Sequence, residues 1–145
     1  MKPRGFWRKG VITSDYRSKR RNEEAQLQAL FCGWLNQRGI LYVASLMGVN
    51  LGARVGAIRK RMGCRAGVPD VLILEARPPY HGCGVELKVK GGHITPEQTA
   101  FAKHLEDNGY KAIIMPTTLE FSEGLEWVQN RVDQYLEMAD KLNAK

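Results

Sequence analysis

The sequence predicts a single α/β domain with a mixed central sheet flanked by helices. At 145 residues the chain is long enough for one hydrophobic core and too short for two domains of ordinary size. Short apolar segments of strand length alternate with segments whose apolar residues recur at helical spacing. Two of the strand-like segments are joined by a turn-rich stretch, which indicates a hairpin. The predicted order is therefore helix, strand, hairpin, helix, strand, helix.

The first predicted elements lie before residue 63. A helix is expected to begin at Asn22, whose side chain suits an N-cap, with Glu23 and Glu24 where the helix dipole favours anions. Residues 40–46 are apolar and partly β-branched, which indicates a short strand. Residues 47–52 resemble a loop, and residues 53–62 form a short basic segment that could be helical. Apolar residues recur at helical spacing in the first helix up to a stop at Gly39: Leu27, Leu30, Phe31, Trp34 and Leu35.

The next two elements form the predicted hairpin. Residues 68–74 are apolar apart from Asp70, which is typical of a strand buried on both faces. Residues 76–82 contain two prolines and a glycine and must turn. Residues 84–89 then form the returning strand.

Two helices and a strand complete the chain. Thr95–Gln98 has the form of a helix start, with an N-cap, a proline in the first turn and a capping-box partner, and this helix ends at Asn108-Gly109. Residues 111–115 form a further apolar strand. A second capping box is predicted over Thr117–Glu120. The amphipathic C-terminal helix that follows carries Leu125, Val128, Val132 and Leu136.

Positive charge is concentrated at the N-terminus. Of a formal net charge of +7, residues 1–22 hold eight basic side chains against Asp15, namely Lys2, Arg4, Arg8, Lys9, Arg17, Lys19, Arg20 and Arg21. A basic arm over residues 1–21 on a neutral domain over residues 22–145 suggests a polyanionic partner, because neutralised phosphates release counterions. Phe6, Trp7 and Tyr16 could stack on bases or on the domain itself. A solubilising tail is the alternative.

Nothing in the sequence indicates a membrane segment or export. No stretch approaches the run of about 20 apolar residues that a membrane span requires. The N-terminal charges are not followed by the apolar run of a signal peptide. Cys32, Cys64 and Cys83 are odd in number and contain no CxxC pair, which argues against a disulfide framework and a structural zinc site. We therefore expect a cytoplasmic protein, in the host cytoplasm if it is virus-encoded, with no membrane partner.

Three charged residues stand in otherwise apolar strands. Glu86 and Lys88 are two residues apart, so their side chains project from one face of a strand. Asp70 starts the neighbouring strand, so strand pairing can bring two carboxylates and an ammonium together at one end of the sheet. Hard oxygen ligands suit Mg²⁺, which also takes waters and phosphate oxygens. In a phosphodiester hydrolase, Lys88 would orient or deprotonate the attacking water or stabilise the transition state. Spacing alone leaves a purely architectural ion network open.

The residues around these three resemble a known nuclease signature. Gly67-Val68-Pro69-Asp70, followed by Glu86-Leu87-Lys88, resembles the PD-(D/E)xK motif. Three longer segments resemble the VRR-NUC (virus-type replication-repair nuclease) family: GCRAGVPDVLIL at 63–74, GVELKVKGGHITPEQTAF at 84–101 and GYKAIIM at 109–115. The likeness covers roughly residues 22–120. It implies a restriction-endonuclease-like fold and hydrolysis of DNA with Mg²⁺, for which Mn²⁺ can substitute, leaving a 5′-phosphate and a 3′-hydroxyl.

The resemblance also implies roles for the central residues. Asp70 and Glu86 match the family's metal-binding acids, and the carbonyl of Leu87 matches a further metal ligand. Lys88 matches the catalytic lysine.

Two further matches leave alternatives open. Glu24 matches an acid of the first helix that completes the metal site, and Gln28 lies one turn later on the same face. A shift of one residue would replace Glu24 by Glu23. Gln98 matches a polar catalytic residue, but it is also the expected capping-box partner of Thr95.

Basic residues near the motif suggest the path of the substrate. We expect DNA contacts from Arg20, Arg21, Arg54, Arg59, Lys60, Arg61, Arg65 and Lys90. For the group between residues 54 and 65, a solvated helix face is the alternative.

The family's association with replication and repair suggests branched, flapped or four-way-junction (Holliday junction) DNA as the substrate. A chain this short has little spare surface for reading base edges. Small members of the superfamily act as symmetric dimers on junctions, and the apolar C-terminal helix could supply a homodimer interface. The alternatives are a catalytically inactive nucleic-acid-binding module on the same fold and an RNA-directed nuclease.

Overall fold

A computed structural model describes residues 9–46 and 52–138 of the chain, with the backbone alone for residues 9–15. Its elements are α1 (Lys9–Gln37), β1 (Tyr42–Ala44), α2 (Gly52–Arg61), β2 (Val71–Ile73), β3 (Cys83–Glu86), α3 (Pro96–Asp107), β4 (Lys111–Ile114) and α4 (Phe121–Leu136). The strands form one sheet in the order β1-β2-β3-β4. The predicted α/β fold, a mixed sheet flanked by helices, is confirmed.

The hairpin and a parallel crossover organise the sheet. β2 and β3 pair antiparallel, with Val71 opposite Val85, as predicted. β1 pairs antiparallel with the other side of β2, and β3 pairs parallel with β4 through the intervening α3. β2 and β3 are shorter than expected, so Asp70 lies just before one strand and Lys88 just beyond the other. Because the pair is antiparallel, both residues lie at the same end of the hairpin.

The two faces of the sheet are covered by different helices. Cys83 and Val85 alternate with Gly84 and Glu86 along β3, so the two pairs face opposite sides. Gly84 and Glu86 face Ala102 and Leu105 of α3. The opposite face packs against α1 and α4 in the main core, whose larger buried residues are Leu27, Phe31, Leu35, Ile73, Met115, Val128, Val132 and Tyr135.

α1 is longer than the sequence predicted. It begins at Lys9, so Asn22 is an exposed mid-helix residue and not an N-cap. The N-terminal part is attached to the domain, because the guanidinium of Arg20 donates to the Gly91 carbonyl at 2.6 Å and Tyr16 contacts the same glycine. The first eight residues, which include Phe6 and Trp7, lie outside the described residues.

The caps of the last two long helices differ from each other. For α3 the predicted capping box is present, with Thr95 as the N-cap. For α4 the prediction over Thr117–Glu120 was wrong by one turn: Glu120 is the N-cap, and its N–H donates to Glu123 at 3.0 Å.

The apolar stripe of α4 is used within the chain. Val128, Val132 and Leu136 are buried in the main core against α1 and the sheet. This stripe is therefore not available to a second copy, and a homodimer interface on the C-terminal helix stays a prediction for its other residues.

Two simpler expectations concern cysteines and membranes. Cys32, Cys64 and Cys83 are free thiols. Within residues 9–46 and 52–138, no helix has the length and apolar character needed to cross a membrane.

Candidate active site

Asp70 is held by the strand next to it. Its Oδ2 accepts a hydrogen bond from the Leu87 N–H at 2.7 Å, and its own carbonyl accepts from the Ser45 N–H at 2.7 Å. The carboxylate is therefore fixed to the end of β3 by one backbone contact, while the backbone of Asp70 is fixed to the end of β1. The three strand ends converge at this residue.

Glu86 and Lys88 form a buried ion pair at the end of β3. The Lys88 Nζ lies 2.9 Å from Glu86 Oε1, and the two residues are only 7% and 5% exposed. Gln98 donates from Nε2 to the same Glu86 oxygen. The acid therefore accepts from one charged and one neutral donor, which come from two different elements of the fold.

The pKa values of both acids are raised, mainly by burial. Burial raises the pKa of Asp70, against the opposing effects of the Leu87 N–H and of the Lys88 charge. Burial, together with the nearby charge of Asp70, raises the pKa of Glu86 to about 7. The charge of Glu24 raises both pKa values further. The site therefore disfavours two ionised carboxylates unless a cation joins them.

The Gln98 side chain contacts both Thr95, in the capping box of α3, and Glu86, in the cleft. Its Oε1 accepts from the Thr95 N–H at 2.9 Å, and its N–H donates to the Thr95 hydroxyl at 3.2 Å. These contacts complete the capping box, while the Nε2 of the same side chain contacts Glu86. The two interpretations of Gln98 were alternatives in the sequence and are compatible in the structure.

α1 forms the opposite wall of the site. Glu24 and Gln28 lie one turn apart on the same face, and Gln28 donates to the Ser45 carbonyl at 3.2 Å. Glu23 points elsewhere, 3.9 Å from Lys19. Of the two acids, the geometry thus brings Glu24 to the site.

These residues line one open cleft of about 600 Å³. Its lining includes Arg21, Glu24, Gln28, Asp70, Glu86, Leu87, Lys88 and Gln98. All six residues expected to form the catalytic and metal-binding group therefore face one space.

Comparison with known proteins identifies the family. The family model described as the VRR-NUC domain matches residues 9–118, which is more than half of the chain. The chain belongs to the VRR-NUC family. A solved structure described as a VRR_NUC domain protein is similar over 79% of this chain and 88% of its own, at 26% identity and a TM-score of 0.60. Comparison with curated proteins gives no match.

The VRR-NUC match extends further than the sequence suggested. It begins at the first residue of α1, not near residue 22, and ends close to the expected boundary at residue 120. VRR-NUC is a family of nucleases, which act on DNA and typically use a metal. The resemblance inferred from the sequence is confirmed.

The cleft fits such a metal by the chemistry of its donors. Asp70 and Glu86 offer carboxylate oxygens, and because burial raises the pKa of both acids, a bound cation would favour their ionised forms. Among the described residues, no three His, Cys, Asp or Glu side chains form a ready-made metal cluster. Mg²⁺ does not require one, because it keeps several waters and is bound through one or two carboxylates.

The cations expected to contact DNA in this VRR-NUC domain divide into three groups. Arg21 lines the cleft. Arg20 and Lys90 are engaged beside it, with Gly91 and Glu120 respectively. The remaining five lie on α2 and the turn after it, where Arg54, Lys60, Arg61 and Arg65 are exposed and Arg59 donates to the Leu46 carbonyl at 3.2 Å.

Sequence reasoning missed several residues that shape the cleft. Gly67 has φ +84°, and a Cβ there would collide with the Glu97 carbonyl. A Cβ at Gly92 would lie 3.6 Å from Glu24 Oε1 and 3.7 Å from Lys88 Cδ. The glycine-rich turns around the motif were the signal available for these two. Ser45 and Cys32 also line the cleft, and no local pattern indicated them.

Proposed function

We propose that this VRR-NUC chain is a magnesium-dependent DNA endonuclease with Asp70, Glu86, Lys88 and Gln98 as its catalytic group. The observation that carries the proposal is the meeting of the half-buried Asp70 carboxylate with the buried Glu86 carboxylate and Lys88 ammonium at the open end of the β2–β3 hairpin. Burying charged groups lowers the stability of the fold, so charges are kept in such a place for a functional or structural role. An open cleft beside them gives a phosphodiester access, which an architectural ion network would not need.

Asp70 and Glu86, completed by Glu24 and by the Leu87 carbonyl, would hold the Mg²⁺, with Mn²⁺ as a substitute. The metal would supply Lewis acidity and a more acidic water for attack on phosphorus. The Leu87 N–H fixes Asp70. Gln98 keeps Glu86 oriented, and its donor favours the ionised form that a metal requires.

Lys88 would act on the scissile phosphate and the attacking water. Its ammonium is buried and held 2.9 Å from Glu86, so its position is fixed before substrate arrives. From there it can donate to a phosphate oxygen where charge develops, or orient the water. A buried cation is more effective in this role than an exposed one, because water screens it less.

Cations on two sides of the cleft would bind the DNA backbone. On the α1 side these cations are Arg21 and the nearby Arg20. On the other side the basic residues of α2 lie near the rim of the cleft formed by Ser45 and Leu46. Lys90 would contribute at the Gly91 turn after exchanging Glu120 for phosphate. Such contacts position a duplex without reading its sequence, which agrees with a preference for branched, flapped or four-way-junction DNA.

A homodimer would need a surface other than the buried stripe of α4. β1 is at the edge of the described sheet, and Leu41 and Val43, two residues apart and therefore on one face of the strand, are exposed. An edge strand with apolar neighbours can pair with the same strand of a second copy. Sedimentation of the wild type beside Val43→Lys tests this proposal, since the substitution should abolish any dimer.

The experiment is cleavage of labelled single-stranded, duplex, flap and four-way-junction DNA, and of matched RNA, with Mg²⁺, Mn²⁺ or EDTA. Asp70→Asn and Lys88→Ala should remove cutting. Lys103→Ala is the matched control, because Lys103 is an exposed lysine of α3 paired with Asp107. Salt-sensitive DNA binding with no cutting in any metal would favour the inactive binding module instead.

A further inference from the structure

α2 is a helix that buries none of its residues. Its ten residues, Gly52–Arg61, contain no buried side chain. Helices of this length are marginal in water unless an apolar face packs against something. Two large apolar side chains remain in solvent, namely Ile58 within α2 and Met62 directly after it, which are 47% and 78% exposed. α2 therefore presents apolar surface that residues 9–46 and 52–138 do not cover.

The face of α2 that carries its larger apolar side chains is half-buried along one margin and exposed along the other. Val55 and Arg59, four residues apart, are half-buried, and Arg59 donates to the Leu46 carbonyl at 3.2 Å. Ile58 and Met62 are also four residues apart, and at helical spacing they lie beside Val55 and Arg59 and form the exposed margin of the same face, which is called the outer side below. Arg54 and Arg61 are exposed and lie beyond Ile58, whereas Arg59 lies on the opposite side of the pair. The outer side is thus an apolar pair framed by arginines.

This outer side lies beside the cleft. Leu46, which binds Arg59, lines the cleft, and so do Ala66 and Gly67, which follow the turn after α2. The chain from Met62 to Ala66 is only four residues long, so Met62 cannot be far from the cleft rim. DNA whose phosphate occupied the cleft would pass this surface.

We propose that Ile58 and Met62 form an apolar wedge that inserts at an unstacked base step where DNA branches. The proposal rests on the nuclease function proposed above and names the feature of the substrate that the enzyme would recognise. Isoleucine and methionine are among the side chains that enter between base steps in DNA-bending proteins. The flanking arginines would bind the phosphates on either side of the opened step. A branch point requires less unstacking than a continuous duplex, so the wedge would favour branched DNA.

Charge selects DNA over other partners for this surface. Residues 52–66 carry five cations and no acid, namely Arg54, Arg59, Lys60, Arg61 and Arg65. A second copy docked symmetrically on α2 would place these like charges against one another. Two apolar side chains also provide much less area than the roughly 800 Å² per partner of a stable protein interface. A polyanion with exposed base faces satisfies both the charges and the apolar pair.

The test uses 2-aminopurine, whose fluorescence rises when the base unstacks, placed at the branch of a flap substrate or at the same sequence in a continuous duplex. All proteins carry Asp70→Asn so that the DNA is not cut. The matched control is Leu74→Ser, which removes an exposed apolar residue outside the cleft lining. Circular dichroism and the melting temperature verify that each variant is folded. A variant with Ile58→Leu and Met62→Leu keeps two apolar side chains at these positions and therefore controls for the substitution itself.

We expect the fluorescence to rise on the flap with the parent protein, which carries Asp70→Asn alone. The same rise is expected with the leucine pair (Ile58→Leu, Met62→Leu) and with Leu74→Ser. The serine pair (Ile58→Ser, Met62→Ser) should lose the rise and bind the flap on the order of tenfold more weakly. This loss corresponds to the apolar surface that the two side chains would no longer bury against the bases. Its salt dependence should be unchanged because the cations remain. Lys60→Ala with Arg61→Ala should instead reduce the slope of log K against log salt by about 2.

Three results would overturn the wedge. The first is an equal fluorescence rise with the serine pair and with the parent protein, and the second is no rise with the parent protein. The third is a parent protein that self-associates without DNA and a serine pair that does not, because the apolar pair would then be a protein interface. Failure of the nuclease itself is seen separately, in the cleavage assay. Cutting of flaps without a fluorescence rise rejects the wedge alone, whereas a rise with no cutting by the Asp70-containing protein rejects the nuclease.

Discussion

Gln98 and Glu86 are joined by a hydrogen bond whose direction is set elsewhere. The Gln98 Oε1 accepts from the Thr95 N–H, so the Nε2 of the same amide is turned toward Glu86 Oε1. The N-terminus of α3 therefore fixes which end of the amide faces the acid. This relationship couples helix capping to the protonation state of a carboxylate that lines the cleft, since an N–H donor favours the ionised form.

Gln98→Ala and Thr95→Ala separate the two roles of this amide. Both remove the capping box and should lower the free energy of unfolding by about 1 kcal/mol. Only Gln98→Ala removes the contact to Glu86, so it should reduce kcat/KM by about tenfold or more, while Thr95→Ala has a much smaller effect. Denaturant unfolding and cleavage kinetics measure the two quantities. Equal loss of activity in both variants would show that the cap alone matters.

The buried acid predicts a pH dependence of stability without metal. Glu86 has a pKa raised from 4.5 to about 7, so the folded state binds its proton more tightly than the unfolded state does. Its contribution to stability is present below about pH 4.5 and is lost as the pH rises through 7. In EDTA, the melting temperature of the wild type should fall across this range relative to that of Glu86→Gln. Parallel curves for the two proteins would contradict the assignment.

Metal should reverse that loss. Mg²⁺ binds the folded state through ionised carboxylates, so it should raise the melting temperature more at pH 8 than at pH 5.5. Asp70→Asn should lose this stabilisation, and Lys103→Ala should keep it. A Mg²⁺ effect of the same size in Asp70→Asn would place the metal elsewhere.

Two glycines should respond oppositely to alanine. Gly67 has φ +84°, and a Cβ there would collide with the Glu97 carbonyl, so Gly67→Ala should destabilise the fold by at least about 2 kcal/mol. Gly33 lies within α1, where a Cβ meets nothing within 4 Å, so Gly33→Ala should stabilise it by about 0.5–1 kcal/mol. Urea unfolding measures both. A tolerated Gly67→Ala would mean that the turn before Asp70 is looser than described.

Much of this arrangement could be predicted from the sequence because its signals are local. The hairpin follows from two apolar segments and a turn, and the α3 cap from four consecutive residues. Asp70, Glu86 and Lys88 stood out because charges are rare in buried strands.

The rest depends on contacts that spacing does not encode. Residues 9–21 are rich in charge and poor in apolar residues, so no periodicity indicated that α1 begins at Lys9. Its attachment through Arg20 and Gly91 joins residues 71 apart. The choice of Glu24 over Glu23 follows from the rotation of α1 against the sheet, which a single sequence does not fix.

Cleavage of flap and junction DNA by wild type, Lys88→Ala and Lys103→Ala, with Mg²⁺ or EDTA, tests the central claim most directly. We expect cutting by wild type and Lys103→Ala that EDTA abolishes, and loss of cutting by about a thousandfold in a folded Lys88→Ala. Undiminished cutting by Lys88→Ala, or cutting that survives EDTA, would contradict the account.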